Sequence, residues 1–149
     1  MRKTGLAVPD CVFCDIVAGD TPAHVVASDE ATLAFLDTRP VFPGHVLLVP
    51  RDHHETLVDV PPALMAPLFD AVQRLARGVE AAMDAHGTFV AMNNRVSQSV
   101  PHLHVHVIPR RRKDGLRGFF WPRQRYAGEE EMAGVAARIR AATPMAGAS

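Results

Sequence analysis

Residues 101–109 read PHLHVHVIP, with histidine at positions 102, 104 and 106 and an aliphatic residue after each. Side chains of a strand point alternately to its two faces, so this pattern predicts three imidazoles on one face and a core-packing aliphatic row on the other. Imidazole serves near neutral pH as a nucleophile, a general acid or base, or a metal ligand. A tag or solvated histidine tract is the alternative, but such tracts lack the apolar row. The pattern therefore predicts a functional site on this strand.

The segments around residues 101–109 predict short strands and one long helix. Proline at positions 61 and 62 suits the start of that helix, an apolar stripe follows at helical spacing, and Gly87 is expected to end it. Hairpin-like pairs of strands around one inserted helix favour an antiparallel α+β domain. The other predicted elements are a short helix over 11–18, strands over 24–28, 32–37, 45–50 and 88–92, and a terminal helix over 128–142.

Length, net charge and the lack of long apolar runs limit the kinds of protein and partner that fit this chain. The chain has 149 residues, enough for one domain with a real core, and a formal net charge of zero. A balanced charge gives no general attraction for nucleic acid or anionic membranes. No apolar run approaches the length of a membrane span, and the first residues lack the apolar region of a secretory signal. We therefore expect a cytoplasmic protein with neither a membrane nor a nucleic-acid partner.

Two local features depart from this average composition. Cys11 and Cys14 form a C-x-x-C pair, and without a secretory signal metal ligation or redox chemistry is a better explanation than a structural disulfide. Residues 110–125 carry seven basic side chains against Asp114 alone. That segment is either a solvated loop or a rim that attracts a phosphate-rich substrate.

A phosphate-binding role must use side chains and loop amides, because the chain has neither a P-loop nor a G-x-G-x-x-G fingerprint. Residues 93–101 read NNRVSQSVP and lead directly into the histidine strand. Their amide and hydroxyl groups can donate hydrogen bonds to phosphate oxygens. Next to three aligned imidazoles, this loop is a candidate phosphate-binding segment.

Residues 98–110, QSVPHLHVHVIPR, resemble the signature of the histidine triad (HIT) superfamily of nucleotide hydrolases and transferases. Further family-like segments follow the family order: CVFC at 11–14, LAFLD at 33–37, PGHVLLVP at 43–50, and His53. The resemblance implies a HIT-like α+β fold with a five-stranded antiparallel sheet, one long helix, one short helix and a C-terminal helix. It also implies a homodimer. It divides the chain into an N-terminal extension (1–10), a core (11–110) and a C-terminal extension (111–149).

The resemblance also implies a mechanism, cleavage of a purine nucleotide at its α-phosphorus. His104 is the expected nucleophile, forming a covalent nucleotidyl-imidazole, and we expect its ring to be exposed and uncharged. His106, Ser99 and Gln98 are expected to donate hydrogen bonds to the phosphoryl oxygens, and Ser99 or His106 to protonate the leaving group. For Ser99, a hydroxyl that merely caps the backbone is the alternative.

The implied nucleotide pocket draws on several segments. Asp37 matches the acid that binds the ribose hydroxyls, and an ionised carboxylate is costly to bury unpaired. Three apolar residues match the walls around the base, although an ordinary core explains them equally well. His45 matches a histidine that supports the triad, and one of two asparagines is expected to touch the nucleotide. The remaining pocket residues are Phe13, Ile16, Phe35, Asn93 and Asn94.

A zinc-bearing branch of the family has four ligands that match Cys11, Cys14, His53 and His102. Two thiolates and two imidazoles form a closed tetrahedral set, which is typical of structural zinc. The alternatives are free thiols or a redox couple, and His54 is a possible substitute ligand.

Three nucleotide-related function classes remain open on the sequence, and a zinc-only or redox module is a fourth, favoured only if nucleotide binding is absent. The first is a hydrolase of dinucleoside polyphosphates or nucleoside phosphoramidates, and the second is a nucleotidyl transferase or phosphorylase. The third is a non-catalytic nucleotide-binding protein. The His-Leu-His-Val-His pattern favours the hydrolase, since the transferase branches have His-x-His-x-Gln. Two departures from the family bear on substrate choice: the loop before Gln98 is shorter than in relatives, and the segment with Phe119, Phe120 and Trp121 either contacts the substrate or buries a dimer edge.

Overall fold

The computed structural model describes residues 8–116 and 123–144, and its elements confirm the predicted α+β fold. The chain divides into two compact units, one ending at Asp114 and one beginning at Gly115. In chain order the elements are α1 (Val12–Ala18), β1 (Val25–Ser28), β2 (Thr32–Leu36), β3 (Val46–Pro50), α2 (Pro62–Met83), β4 (Gly87–Ala91), β5 (Val105–Arg110) and α3 (Glu129–Ala142), with one 3-10 turn at Leu57–Asp59.

The five strands form one antiparallel sheet in the order β1-β2-β3-β5-β4. The central strand β3 follows His45, and its neighbour β5 contains His106 and continues the segment with His102 and His104. Leu47 pairs with His106, and Val46 pairs with Val107. Pairing of these two strands therefore brings together residues that are about sixty positions apart in the chain.

Each face of the sheet has its own core. On one face α2 packs against Val46, Leu48, Val105 and Val107, all buried. On the other face α1 packs against Leu33, Phe35, Leu47 and Val49. The alternation in β3 and β5 sends apolar side chains towards α2 and leaves the imidazoles on the α1 side. As predicted, the α2 stripe is core: Leu68, Val72 and Val79 are buried, and Leu64, Leu75 and Met83 pack beside them.

Two predicted boundaries are wrong. Helix α2 ends at Met83, not at Gly87, because Asp84 takes the left-handed conformation (φ 49°) and its N–H bonds back to Ala81 and Glu80. Aspartate tolerates that conformation better than most residues, and Gly87 opens β4 instead. The histidine strand begins at Val105 rather than at residue 101, since the N–H of Leu103 bonds to the carbonyl oxygen of His54 outside the sheet.

The C-terminal unit contains α3, which begins after Gly128, has three acidic residues in its first turn and buries none of its side chains. Acidic groups are favourable at a helix N-terminus because they face its positive dipole end. Within the described ranges, no helix combines the length and the apolar character that a membrane crossing requires.

Candidate functional site

A cluster of two cysteines and two histidines joins α1 to the segment before β5. The Cys11 side chain caps α1, and its Sγ accepts the backbone N–H of Cys14 at 3.4 Å. Cys11 Sγ lies 3.5 Å from Nδ1 of His102, and Cys14 Sγ lies 3.6 Å from the same atom. Cys14 Sγ is also 3.4 Å from Nδ1 of His53. All four possible ligand atoms lie within 4.8 Å of one another, which groups the predicted metal ligands around one point.

The spacing of these atoms fits a tetrahedral zinc ion. Zn–S bonds of about 2.3 Å and Zn–N bonds of about 2.05 Å at tetrahedral angles place sulfur and nitrogen about 3.6 Å apart. The three measured S···N distances are 3.4, 3.5 and 3.6 Å. Nε2 of His102 donates to the carbonyl oxygen of Pro50 at 2.8 Å, which leaves the lone pair on Nδ1 directed at the sulfurs. The residues therefore supply the donor chemistry of a Cys2His2 zinc site, and three of its six edges have the length that zinc requires.

The protonation of the cluster agrees with this assignment. Burial lowers the pKa of His102 to about 4, so the ring is neutral and can act as a ligand near pH 7. Burial also raises the pKa of the Cys14 thiol, which favours the neutral thiol unless a cation is bound. A metal ion reverses that preference because it stabilises the thiolate directly.

His104, the predicted nucleophile, is held by the backbone next to this cluster. Its Nδ1 donates to the carbonyl oxygen of His102 at 2.8 Å, so the lone pair is on Nε2. The expectation of an exposed ring is wrong, because only 3% of His104 is exposed. Phe13 meets the ring edge-on at a centroid distance of 5.1 Å, and His106 covers it from 5.0 Å. Among the described residues, Nε2 has no hydrogen-bond partner, which makes it the nitrogen available for chemistry.

A series of hydrogen bonds from Val41 through His45 determines which ring nitrogen of His106 carries the proton. The backbone N–H of Val41 donates to Nδ1 of His45 at 3.1 Å, so the His45 proton is on Nε2. That Nε2 donates to Nδ1 of His106 at 3.0 Å, which leaves the His106 proton on its Nε2. Gly44 permits this arrangement, since its φ is 95° and a Cβ there would lie 2.7 Å from Cγ of Met83. His106 is therefore a hydrogen-bond donor on the same face as His104.

The rings of His45 and His106 are both uncharged near neutral pH. Burial lowers the pKa of His106 to about 4, and the neighbouring rings of His104 and His45 lower it further while Asp37 opposes them. Burial also lowers the pKa of His45. Oδ2 of Asp37 is 3.7 Å from Nε2 of His45, beyond hydrogen-bonding distance, and its Oδ1 accepts the N–H of Arg39 at 2.9 Å. The sequence resemblance suggested a supporting role for His45, but nothing in it pointed to Val41.

The loop before the histidines is braced by two of the predicted site residues. Oε1 of Gln98 accepts the N–H of Arg95 at 2.8 Å, and Nε2 of Gln98 donates to the carbonyl oxygen of Glu55 at 2.6 Å. Oδ1 of Asn94 accepts the N–H of Leu57 at 2.8 Å. Asn93 and Ser99 are both exposed, and neither hydrogen-bonds with a described residue. Of the two asparagines, Asn93 is thus the one whose side chain makes no hydrogen bond within the described part of the chain.

The apolar residues predicted to surround the base lie on α1 and on strand β2, against which α1 packs. Phe13 and Phe35 are buried and pack edge-to-face at 5.5 Å, and the half-buried Ile16 adjoins the same core. Asp37 directly follows β2, and its side chain is 22% exposed. The aromatic pair is therefore part of the core, and Phe13 also contacts the His104 ring, while its role as a wall of the base site stays a prediction.

The basic segment after β5 is only partly described. Arg110 forms a 2.6 Å ion pair with Asp114, and the guanidinium of Arg111 donates to the carbonyl oxygen of Met83 at 2.7 Å. Arg123 and Arg125 are exposed. The aromatic residues predicted to contact the substrate or a dimer edge, Phe119, Phe120 and Trp121, lie outside the described residues.

Comparisons with known proteins agree with this geometry. An uncharacterized HIT-like protein of Mycobacterium tuberculosis is 42% identical over 108 residues, which is 71% of this chain and 75% of the relative. An adenylylsulfatase of Arabidopsis thaliana is 34% identical over 72% of this chain and 55% of its own length. An adenosine 5'-monophosphoramidase of Saccharomyces cerevisiae is 31% identical over 76% of this chain and 71% of its own.

Solved structures share the fold. The crystal structure of SMU.412c from Streptococcus mutans superimposes with a TM-score of 0.84 at 33% identity, covering 95% of this chain and 90% of that one. A zinc-bound histidine triad family protein from Mycobacterium smegmatis gives a TM-score of 0.69 at 36% identity, with coverage of 90% and 98%. The HIT domain family matches residues 18–113 of the sequence. Because this match spans more than half of the sequence and includes all three histidines of the motif, the chain belongs to the HIT domain family.

Proposed function

We propose that this protein is a nucleotide hydrolase that cleaves its substrate at the α-phosphorus through a nucleotidyl group carried on Nε2 of His104. The observation that carries the proposal is that hydrogen bonds fix the tautomers of His104 and His106. The backbone carbonyl of His102 holds the proton of His104 on Nδ1, and His45 holds the proton of His106 on Nε2. A nucleophilic nitrogen and a donor therefore share one face of the sheet.

The proposed reaction has two steps, formation of a nucleotidyl group on His104 and its hydrolysis. In the first, Nε2 of His104 attacks the α-phosphorus, a P–N bond forms, and the bond to the leaving group breaks with its electron pair. In the second, water attacks the same phosphorus, the P–N bond breaks, and the nucleoside monophosphate leaves. An amine leaving group takes a proton in the first step, for which Ser99 or His106 is the proposed donor. In the second step one proton of the attacking water returns to that donor, and the other stays on the product phosphate or passes to solvent.

The substrate proposal rests on the named activities of two relatives. Adenylylsulfatase and adenosine 5'-monophosphoramidase both act on an adenylyl group, with sulfate or an amine as the leaving group. We propose Asp37 for the ribose hydroxyls, Phe13, Ile16 and Phe35 for the base, and Asn93 for a polar contact. In this proposal Asn94 and Gln98 act mainly by bracing the loop. Dinucleoside polyphosphates remain a further candidate class with the same bond to break.

Zinc is the proposed cofactor, bound by Cys11, Cys14, His53 and His102. Its role is structural, because four protein ligands leave no open position and the ion would tie α1 to the start of β5. Metal analysis of the purified protein should find about one zinc per chain. Replacing both cysteines by serine should lower zinc content and thermal stability more than nucleotide affinity. Zinc-free protein that loses no stability on the double replacement would contradict this role.

We also propose that the core over 11–110 carries the site and that the protein acts as a homodimer. Strand β4 supports the dimer, since it is an edge strand of the sheet whose outer backbone groups can pair with a second copy. Light scattering on the purified chain tests this directly. A monomer at micromolar concentration with full activity would rule it out.

A substrate panel with trapping of the intermediate tests the main proposal. The panel contains adenylyl sulfate, adenosine phosphoramidate, diadenosine polyphosphates and the guanosine equivalents, compared by kcat/KM. Rapid acid-free quenching should reveal a protein mass increased by one nucleotidyl group, absent in His104→Ala. Turnover of no member of the panel, or an adduct that persists in His104→Ala, would refute the mechanism.

A further inference from the structure

We propose that the turn formed by residues 11–14 is a positioning device for His104, in which metal binding to its two cysteines fixes the orientation and the tautomer of the nucleophilic ring. Only the kinetic test of this inference rests on the proposed function. The spectroscopic test concerns the conformation and the proton position of the His104 ring.

The first connection runs through the backbone of His102. The imidazole of this residue lies 3.5 Å from Cys11 Sγ and 3.6 Å from Cys14 Sγ, and its other nitrogen donates to Pro50. Its carbonyl oxygen is the acceptor for Nδ1 of His104 at 2.8 Å. One residue is thus a metal ligand through its side chain and the holder of the nucleophile's proton through its backbone. A displacement of the ligand therefore displaces the acceptor.

The second connection runs through Phe13, which lies between the two cysteines in sequence. Its ring meets His102 at 5.9 Å and His104 at 5.1 Å, with interplanar angles of 77° and 81°. Because Phe13 lies between the two cysteines in sequence, a metal bound by both cysteines would also hold the Phe13 ring in its contact with His104. The two connections restrain His104 from different directions.

Cys11 and His102 are 91 positions apart, so the cluster closes a very long segment of chain. Without a bound ion these contacts would be thiol–imidazole contacts, which are weak. We therefore expect His102 and Phe13 to sample other positions in the metal-free protein. A misplacement near 1 Å lowers an enzyme's rate by about a hundredfold, with little effect on ground-state binding.

Long-range ¹H–¹⁵N spectra of the histidine rings test the inference on zinc-loaded protein, on protein stripped with a chelator, and on protein reloaded with zinc. Loss of peaks in His104→Ala assigns the ring. The loaded protein should have a protonated Nδ1 and an unprotonated Nε2. The stripped protein should give averaged shifts for both nitrogens, and zinc should restore the original ones. Identical His104 shifts in folded loaded and folded stripped protein would overturn the proposal.

Phe13→Leu provides a variant that leaves all four metal ligands in place, and Phe35→Leu is its matched control. Phe35 is the neighbouring ring that packs on Phe13 and lies in the same core. With zinc content unchanged in both, Phe13→Leu should alter the His104 shifts and Phe35→Leu should leave them unaltered. Equal shifts in the two variants would show that general core packing, not this contact, holds the ring.

Kinetics separate this inference from the proposed function. Stripping should lower kcat about a hundredfold while KM changes by less than about threefold, as expected for loss of positioning. If the ring shifts respond to zinc but no nucleotide is cleaved under any condition, the proposed function fails and the positioning role stands. If nucleotides are cleaved equally fast with and without zinc, the positioning role fails and the proposed function stands.

Discussion

Replacing His45 by alanine tests whether the proton of His106 is set by its neighbour. His45 is 3% exposed, accepts the N–H of Val41 and donates to His106 at 3.0 Å. Alanine removes both hydrogen bonds, so the His106 proton becomes free to move to Nδ1. In that tautomer the nitrogen facing the substrate has a lone pair instead of a proton, and it repels the phosphoryl oxygens.

The size of the effect follows from the hydrogen bond that is lost. A hydrogen bond between neutral groups contributes about 0.5 to 1.5 kcal/mol net. Since 1.36 kcal/mol corresponds to about a factor of ten, the unproductive tautomer gains up to about tenfold over the productive one. We therefore expect His45→Ala to lower kcat by about three- to tenfold and to leave KM within about twofold, because the contact matters most as charge develops.

Glutamine separates the hydrogen bonds from simple packing. Its side-chain oxygen can accept from Val41 and its nitrogen can donate to His106, so His45→Gln should recover most of kcat. His24, which is exposed and lies before β1, provides a control histidine for His24→Ala. The assay is initial-rate kinetics at pH 7.5 with melting temperatures of all three variants. A folded His45→Ala with wild-type kcat, or a His45→Gln no better than alanine, would refute the tautomer argument.

Three further predictions concern single residues. His104→Ala should abolish turnover but keep the AMP dissociation constant within about tenfold, measured by calorimetry, since a nucleophile acts mainly on the transition state; turnover at the wild-type rate would contradict it. Ser97→Gly should raise the free energy of unfolding in urea by about 0.5–1 kcal/mol, because Ser97 has a left-handed φ of 60°; a loss of stability would mean that the serine makes a contact that matters. The pKa of His106 is lowered from 6.5 to about 4 by burial, so the stability linked to it is present above pH 6.5 and is lost as the pH falls towards 4. Thermal melts should therefore show a smaller acid loss in His106→Asn than in wild type, and equal losses would exclude this linkage.

The sequence predicted the direction of the side chains better than it predicted where helices and strands begin and end. The alternation over residues 101–109 correctly assigned Leu103, Val105 and Val107 to a core, because side-chain direction depends on local backbone geometry. The start of the strand was wrong because the N–H of Leu103 bonds to His54, a partner that no local pattern indicates. The end of α2 was wrong for a related reason, since a glycine is the usual left-handed cap and here Asp84 takes that role.

For the site, the resemblance identified which residues meet, and the structure adds what each atom does. The cluster of Cys11, Cys14, His53 and His102 was expected from matched positions, and its S···N distances now agree with a metal of known bond lengths. Burial of His104 was not predictable, because it depends on where the Phe13 ring packs. The brace formed by Gln98 depends on a backbone carbonyl at Glu55, 43 positions away.

Three of the five histidines of the site have one ring nitrogen bonded to the backbone. His102 bonds to Pro50, His104 to the carbonyl of His102, and His45 to the N–H of Val41. Among the described contacts, the other two depend on a side chain: His53 on Cys14 and His106 on His45. A hydrogen-bond partner in the backbone is still present after a side chain is replaced, whereas a partner in a side chain is removed by a single substitution. The tautomer of the proposed donor is therefore the one that replacement of a single hydrogen-bonding side chain can change, whereas the tautomer of the proposed nucleophile changes only when the backbone of His102 is displaced.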